Sequence, residues 1–267
     1  MTDTTVLDLA HAAMSAAPGD DAARLRFYER IADAELFVLI EDDAAGAEIA
    51  PQVFALEDGR FVMAFDREER LSAFTGAPAP YAALPGRVVV HLLAGQGVGL
   101  GLNLGVAPSE TLLPAEALAW LAGTLARAPE TLEAAPERFH APARLPEALL
   151  RALDTKLALA AGLAVQALLA GVSYAGGRRG HMLAFLGAKP EAEAALAHAV
   201  AEALTFSGVE AGEIDVAFLD PASAAARRMA AVALRIDLPQ PPAGAERMQP
   251  PAAPGMDPAK PPILRQR

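Results

Sequence analysis

Apolar positions recur along this chain at two periods, and the switches between them mark out the elements. Thr5 with Asp8 forms a capping-box pattern ahead of Leu7, Ala10 and Met14, and Asp20 opens a stretch with Leu25, Tyr28 and Ile31 on one face. Two helices suited to packing on a sheet are therefore expected first. Three short apolar runs follow at 35–41, 52–56 and 60–65, and Asp58-Gly59 between the last two supplies the positive φ angles of a tight hairpin. In Phe61, Val62, Met63, Ala64 and Phe65 both alternating faces are apolar, which describes a central strand covered on each side. Asp66 with Glu69 repeats the capping-box pattern before a short helix carrying Leu71 and Phe74, which Gly76 and the following prolines stop. A loop with Pro78, Pro80 and Pro85 leads through 87–93 into a glycine-rich segment. Pro114 then opens a helix whose buried stripe is Leu118, Leu121 and Leu125.

Pro129, Pro136 and Pro142 punctuate a stretch of mixed polarity, after which the pattern starts again. A helix is expected over 145–161, strands over 164–174 and 181–187 with a glycine turn at 176–180, and a longer helix over 190–206 with Leu196, Val200 and Leu204 on its apolar side. Strands at 213–219 and 232–238 flank a helical stretch at 221–229. From Pro239 onward the chain is proline-rich and has few large apolar residues, too little to offset chain entropy. The expected architecture is α+β: a first domain over 1–128, a linker at 129–144, a second domain over 145–238, each a sheet packed with helices, and a disordered Pro-rich tail at 239–267.

Composition narrows the chemistry. The chain has no cysteine, which removes disulfides, thiolate metal ligands and cysteine nucleophiles together. The N-terminal stretch has no basic residue before Arg24 and no sustained apolar core, so it does not read as a secretory signal, and the longest apolar stretch, 157–172, is shorter than a membrane helix needs. A cytoplasmic location is expected. Residues 1–140 hold 21 acids and 9 bases, and such an acidic half repels nucleic acid and anionic lipid, so protein partners are expected instead, with neither nucleic acid nor membrane among them.

The candidate sites are few. Gly97, Gly99, Gly101 and Gly105, with Asn103 as a polar contact, could offer backbone N–H groups to a ligand. The spacing fails the dinucleotide fingerprint, however, and no Lys-Ser or Lys-Thr follows. Alternation of glycine with Val and Leu instead describes a strand with one bare face for a close neighbour. Arg178 and Arg179 at a hairpin tip could hold an anion or an acidic partner, although a solvated turn is the simpler reading. Ser173 in Gly171-Val172-Ser173-Tyr174-Ala175 lacks the strand–turn–helix setting of a nucleophile elbow. The five histidines show no metal-binding spacing. His11 and Asp8 are expected on the polar side of the first helix, and His198 beside Glu202 on a solvated face. His91 and His181 are expected in or beside strands. Neither a cofactor nor a catalytic or metal-binding constellation is expected.

Three stretches of the first half (53–76, VFALEDGRFVMAFDREERLSAFTG; 80–90, PYAALPGRVVV; 95–110, GQGVGLGLNLGVAPSE) resemble the N-terminal domain of the SseB family of bacterial proteins. Two stretches of the second half, 168–185 and 232–239, resemble that family's C-terminal domain. The resemblance implies an association with enhanced serine sensitivity and carries no catalytic motif or cofactor. The expected function is a non-enzymatic interaction or regulatory protein, and the alternative is a small-molecule binding protein, for an amino acid or nucleotide, or an enzyme using 97–105.

Overall fold

The computed structural model describes residues 4–41, 50–129, 136–208 and 214–240. Residues 241–267 of the expected tail lie outside the described residues. The fold is α+β with two mixed sheets.

In the first half, helices α1 (Val6–Ala16) and α2 (Asp21–Asp33) precede β1 (Glu35–Leu39), and the hairpin β2 (Val53–Leu56) and β3 (Gly59–Phe65) follows. Helix α3 (Glu68–Thr75), β4 (Tyr81–Pro85), α4 (Gly86–Leu93), β5 (Gly99–Leu102), β6 (Thr111–Leu113) and α5 (Ala115–Leu125) complete it. The sheet runs β4-β1-β3-β5-β6, and β2 shares with β1 one edge of β3. As expected, β3 is central. Its Val62 and Ala64 pack with α1, α2, α4 and α5, while Phe61, Met63 and Phe65 face Leu71 of α3 in a second core.

Three local expectations change. Asp66 does not cap α3: Arg67 holds that position with no side-chain cap bond, and the Asp66 carboxylate is engaged elsewhere. The stretch 81–85, expected as loop, pairs along β1 as the outer strand. His91, expected in or beside a strand, lies exposed on α4. The β-branched run Val88-Val89-Val90 reads as extended on local preference, but as a helix it buries Val89, Val90 and Leu93 between α2 and α5, and packing outweighs propensity. Gly86 permits this arrangement, because a Cβ there would lie 1.8 Å from the Ile31 carbonyl oxygen.

The second half contains β7 (Pro136–His140), α6 (Glu147–Ala158), β8 (Gln166–Tyr174), β9 (Arg179–Leu186), a 3-10 turn at Pro190–Ala192, α7 (Glu193–Ser207), β10 (Ile214–Leu219), α8 (Ala224–Ala230) and β11 (Leu234–Asp237). The sheet runs β10-β9-β8-β11, with β7 sharing the β11 edge of β8. Strand β7 falls within the stretch expected as linker. Ala167 and Leu169 of β8 face α6 and α7, while Leu168, Ala170 and Val172 face Met229 of α8. The halves interlock: Phe206 of α7 is buried in the first half's core, and the Gly208 backbone lies so close to Ala22 that a Cβ there would sit 2.4 Å from the alanine methyl.

Candidate functional site

The beginnings of α1, β1 and α3 converge on an open cleft of about 630 Å³, formed by residues 4–7, by Ala34, Glu35 and Phe37, and by residues 66–69. Its geometry follows from a buried network directly beneath. Thr5 caps α1: its hydroxyl accepts from the Asp8 backbone N–H, and Asp8 returns the bond by accepting from the Thr5 N–H at 2.9 Å. The Thr5 hydroxyl donates to Asp66 at 2.6 Å. Arg70, 2 % exposed in α3, donates to Asp8 Oδ1 at 3.0 Å and Oδ2 at 2.5 Å, and to Asp66 at 2.8 Å. Ser109 donates to Asp8 at 2.6 Å and accepts from Asn103, whose carbonyl oxygen takes the Asp66 backbone N–H.

Burial by itself would raise the Asp8 carboxyl. The Arg70 and Ser109 hydrogen bonds, the Thr5 backbone and the guanidinium charge instead hold it far below the usual carboxylate range. Asp8 thus points inward, not to the solvated side of α1 expected for it, and His11 packs edge-on against Phe27 at 5.3 Å.

Above this floor the cleft surface is acidic and partly apolar. Val6 is 66 % exposed, and Phe37 meets Tyr81 edge to face at 5.5 Å. The Glu68 carboxylate near the Tyr81 hydroxyl raises the phenol's pKa. Glu35, Glu68 and Glu69 are exposed, and among the described residues neither Glu35 nor Glu69 forms a salt bridge. Counting Asp8 and Asp66, five carboxylates face two guanidiniums, Arg67 and Arg70. Two helix N-termini worth about half a charge each leave the surface about two charges negative.

A second buried cluster joins the halves. Lys156 of α6 donates to both Asp33 oxygens at 2.8 and 2.7 Å and to Glu202 of α7 at 2.7 Å, and lies 3.5 Å from Glu29. Arg87 bridges Asp33 and Glu202 from α4, and His198 sits 3.1 Å from Glu202. Burial would lower the Lys156 pKa, but its carboxylates raise it, so the amine stays an ammonium and is no nucleophile. Burial would likewise raise Glu202, yet Lys156 and Arg87 lower it. Glu29 goes the other way: burial, with Asp33 adding, pushes it up against the pull of Lys156 and Arg30, and its Oε1 has no hydrogen-bond partner. A cavity of about 190 Å³ opens beside this cluster, with Leu159 and Leu163 on its apolar wall.

The residues singled out from the sequence are not brought together. Gly99 and Gly101 are buried in β5, where a Cβ would stand 2.5 Å from the Phe61 ring and the Leu113 carbonyl, or 2.6 Å from Met63 Sδ, so the bare strand face is filled by neighbouring side chains. Gly97 and Gly105 are exposed at positive φ, and the Gly105 N–H donates to Glu110. Asn103 is fully buried at φ 51° in the network described above. On the other sheet, Arg178 stacks 4.1 Å over Tyr174 and bridges to Asp215 at 3.0 Å, while Arg179 is exposed. Tyr174 also donates to Asp215, and its pKa is raised chiefly by burial, with Asp215 adding.

The network residues Arg70 and Lys156 were missed in the sequence. Lys156 had a signal: it stands at helical spacing from Leu149, Ala152 and Leu153, on the buried stripe of α6. Arg70 likewise adjoins Leu71 but pairs with a residue 62 positions away. Among the described residues no group of three or more His, Asp and Glu side chains is placed to hold a metal ion, and no helix is long and apolar enough to cross a membrane.

No curated protein and no solved structure matches the chain. Residues 9–120, which carry β1, α3, Arg70 and most of the cleft, match the family model described as the SseB protein N-terminal domain.

Proposed function

We propose that this chain is a non-catalytic interaction protein that receives a basic, aliphatic-bearing peptide segment in the cleft between α1, β1 and α3. The observation that carries this reading is the cleft surface itself: exposed Val6 and half-buried Phe37 lie among Glu35, Glu68 and Glu69 on a floor whose carboxylates are already paired with Arg70. A rim of carboxylates beside apolar surface suits a partner with the opposite charge and an aliphatic anchor. We extend the likeness to the whole SseB family, its C-terminal domain included, with a regulatory, cytoplasmic role linked to serine sensitivity.

The test is fluorescence anisotropy with short labelled peptides. Basic peptides containing Ile or Leu are expected to bind, with affinity falling as salt is raised. Glu35→Lys with Glu69→Lys is expected to weaken binding about ten-fold or more. Equal affinity for acidic peptides, or no effect of the charge reversals, overturns the reading. The second reading, a small-molecule binder, is favoured by the cavity beside Lys156 and His198. It predicts a thermal shift with a small metabolite that is lost in His198→Ala.

A further inference from the structure

We infer that the cleft is an autoinhibited site, covered in the free protein by residues 260–267 of the same chain. This rests on the cleft being a surface for basic peptides, and it names the occupant that competes with them. The sequence 260–267 reads Lys-Pro-Pro-Ile-Leu-Arg-Gln-Arg: three cations without an acid, surrounding Ile263 and Leu264, the only Ile or Leu beyond Leu238. Each part has a counterpart in the cleft. Lys260, Arg265 and Arg267 match Glu35, Glu68 and Glu69, and the aliphatic pair matches Val6 and Phe37.

Charge places this segment on the first half. Residues 1–140 carry 21 acids and 9 bases, whereas 141–236 are balanced at 9 and 9, so the long-range field draws a cationic segment toward the half that contains the cleft. Reach permits it. The described chain runs to Gln240, which is anchored through its side chain to the Ala164 carbonyl. The residues between Gln240 and Ile263, rich in proline, span up to about 70 Å at about 3.1 Å per residue. A folded body of this size is only about 45 Å across. A tether of this length holds the segment near the cleft at an effective concentration of about a millimolar, so even a weak contact is populated.

The absence of cysteine gives a direct test on the full chain. A nitroxide placed at Gln266→Cys is expected to broaden the backbone amides of residues 4–7, 35–37 and 66–69 selectively. The broadening is expected to fade with salt or with Glu68→Lys plus Glu69→Lys. Uniform broadening, or broadening centred elsewhere, overturns the proposal. So does broadening that appears only when nitroxide-bearing and isotope-labelled chains are mixed, which would assign the cleft to the tail of a second copy. Substitutions in the tail leave the folded body untouched and separate this proposal from the reading it rests on. With Arg265→Glu and Arg267→Glu, an external basic peptide is expected to bind about ten-fold more tightly, because its competitor is gone. If that peptide binds both chains equally, the tail does not cover the cleft and the interaction reading stands; if it binds neither, both fall.

Discussion

The two buried charge clusters use similar residues to different ends. Asp8, Asp66 and Arg70 lie within one half, and their carboxylates are saturated by donors from α1, α3 and the β5–β6 connection, so Asp8 is held ionised far into acid. Glu29, Asp33, Glu202, Lys156 and Arg87 lie where the halves meet, with Arg30 pairing with Glu29 at 3.5 Å and one Glu29 oxygen left unbonded. The first network joins groups 62 and 101 residues apart through the packing of one half, and what it leaves unbonded is a donor, the Arg70 Nε. The second, assembled across a junction, takes the groups that helix docking delivers, and what it leaves unbonded is an acceptor, the Glu29 Oε1.

The strongest way to break the comparison is at Lys156. Lys156→Met leaves Asp33, Glu202 and Glu29 facing one another with half-exposed Arg87 and the more distant Arg30 to compensate, and is expected to cost about 4 kcal/mol in urea unfolding. A loss under 1 kcal/mol would show that water already solvates the junction.

Asp8→Asn, a smaller perturbation because Asp66 stays with Arg70, is expected to cost about 2 kcal/mol at neutral pH. The sign of its pH dependence follows from its lowered pKa. The folded protein releases this proton more readily than the unfolded chain, so the contribution is present above the ordinary Asp value of 3.8 and is lost as pH falls below it toward the folded value. The variant's stability curve should therefore be flatter than the parent's on the acid side, and parallel curves below pH 4 would contradict the assignment.

Glu29 supplies the smallest and opposite effect. Its raised pKa means that the folded protein holds the proton more tightly. The associated stability is complete below the ordinary Glu value of 4.5 and is lost as pH rises through the folded pKa. Glu29→Gln should remove that decline and raise stability at neutral pH by about 1 kcal/mol, since an unsatisfied buried carboxylate becomes a neutral amide. Calorimetric scans between pH 4 and 8 check this, and a variant as pH-dependent as the parent would locate the surplus proton elsewhere.

Much of the fold was legible because its signals are local. The Thr5–Asp8 box, the Asp20 cap and the two-sided apolar run in β3 each need only a few neighbouring residues to act. The hairpin before β3 forms where expected, though residues 57 and 58 make the turn and Gly59 is the position of positive φ. Helix α4 was not legible, because Val88-Val89-Val90 favours extended backbone until α2 and α5 offer a groove. The candidate site was less legible still. Its acidity shows in the charge distribution, but the cleft exists only where α1, β1 and α3 meet, and its floor joins Asp8 to Ser109 across 101 residues.

By itself the sequence determined the α+β class, the central strand β3, the Thr5 and Asp20 caps, the acidic first half and the absence of thiol chemistry, all properties of composition or of contacts a few residues long. Only the tertiary structure decided which charges are buried and with whom. Lys156 meets Asp33 across 123 residues, and the electrostatics of both depend on how much water the docked helices exclude. Pattern along the chain carries periodicity but not that distance, so the pairing of buried charges is a property of the packed molecule.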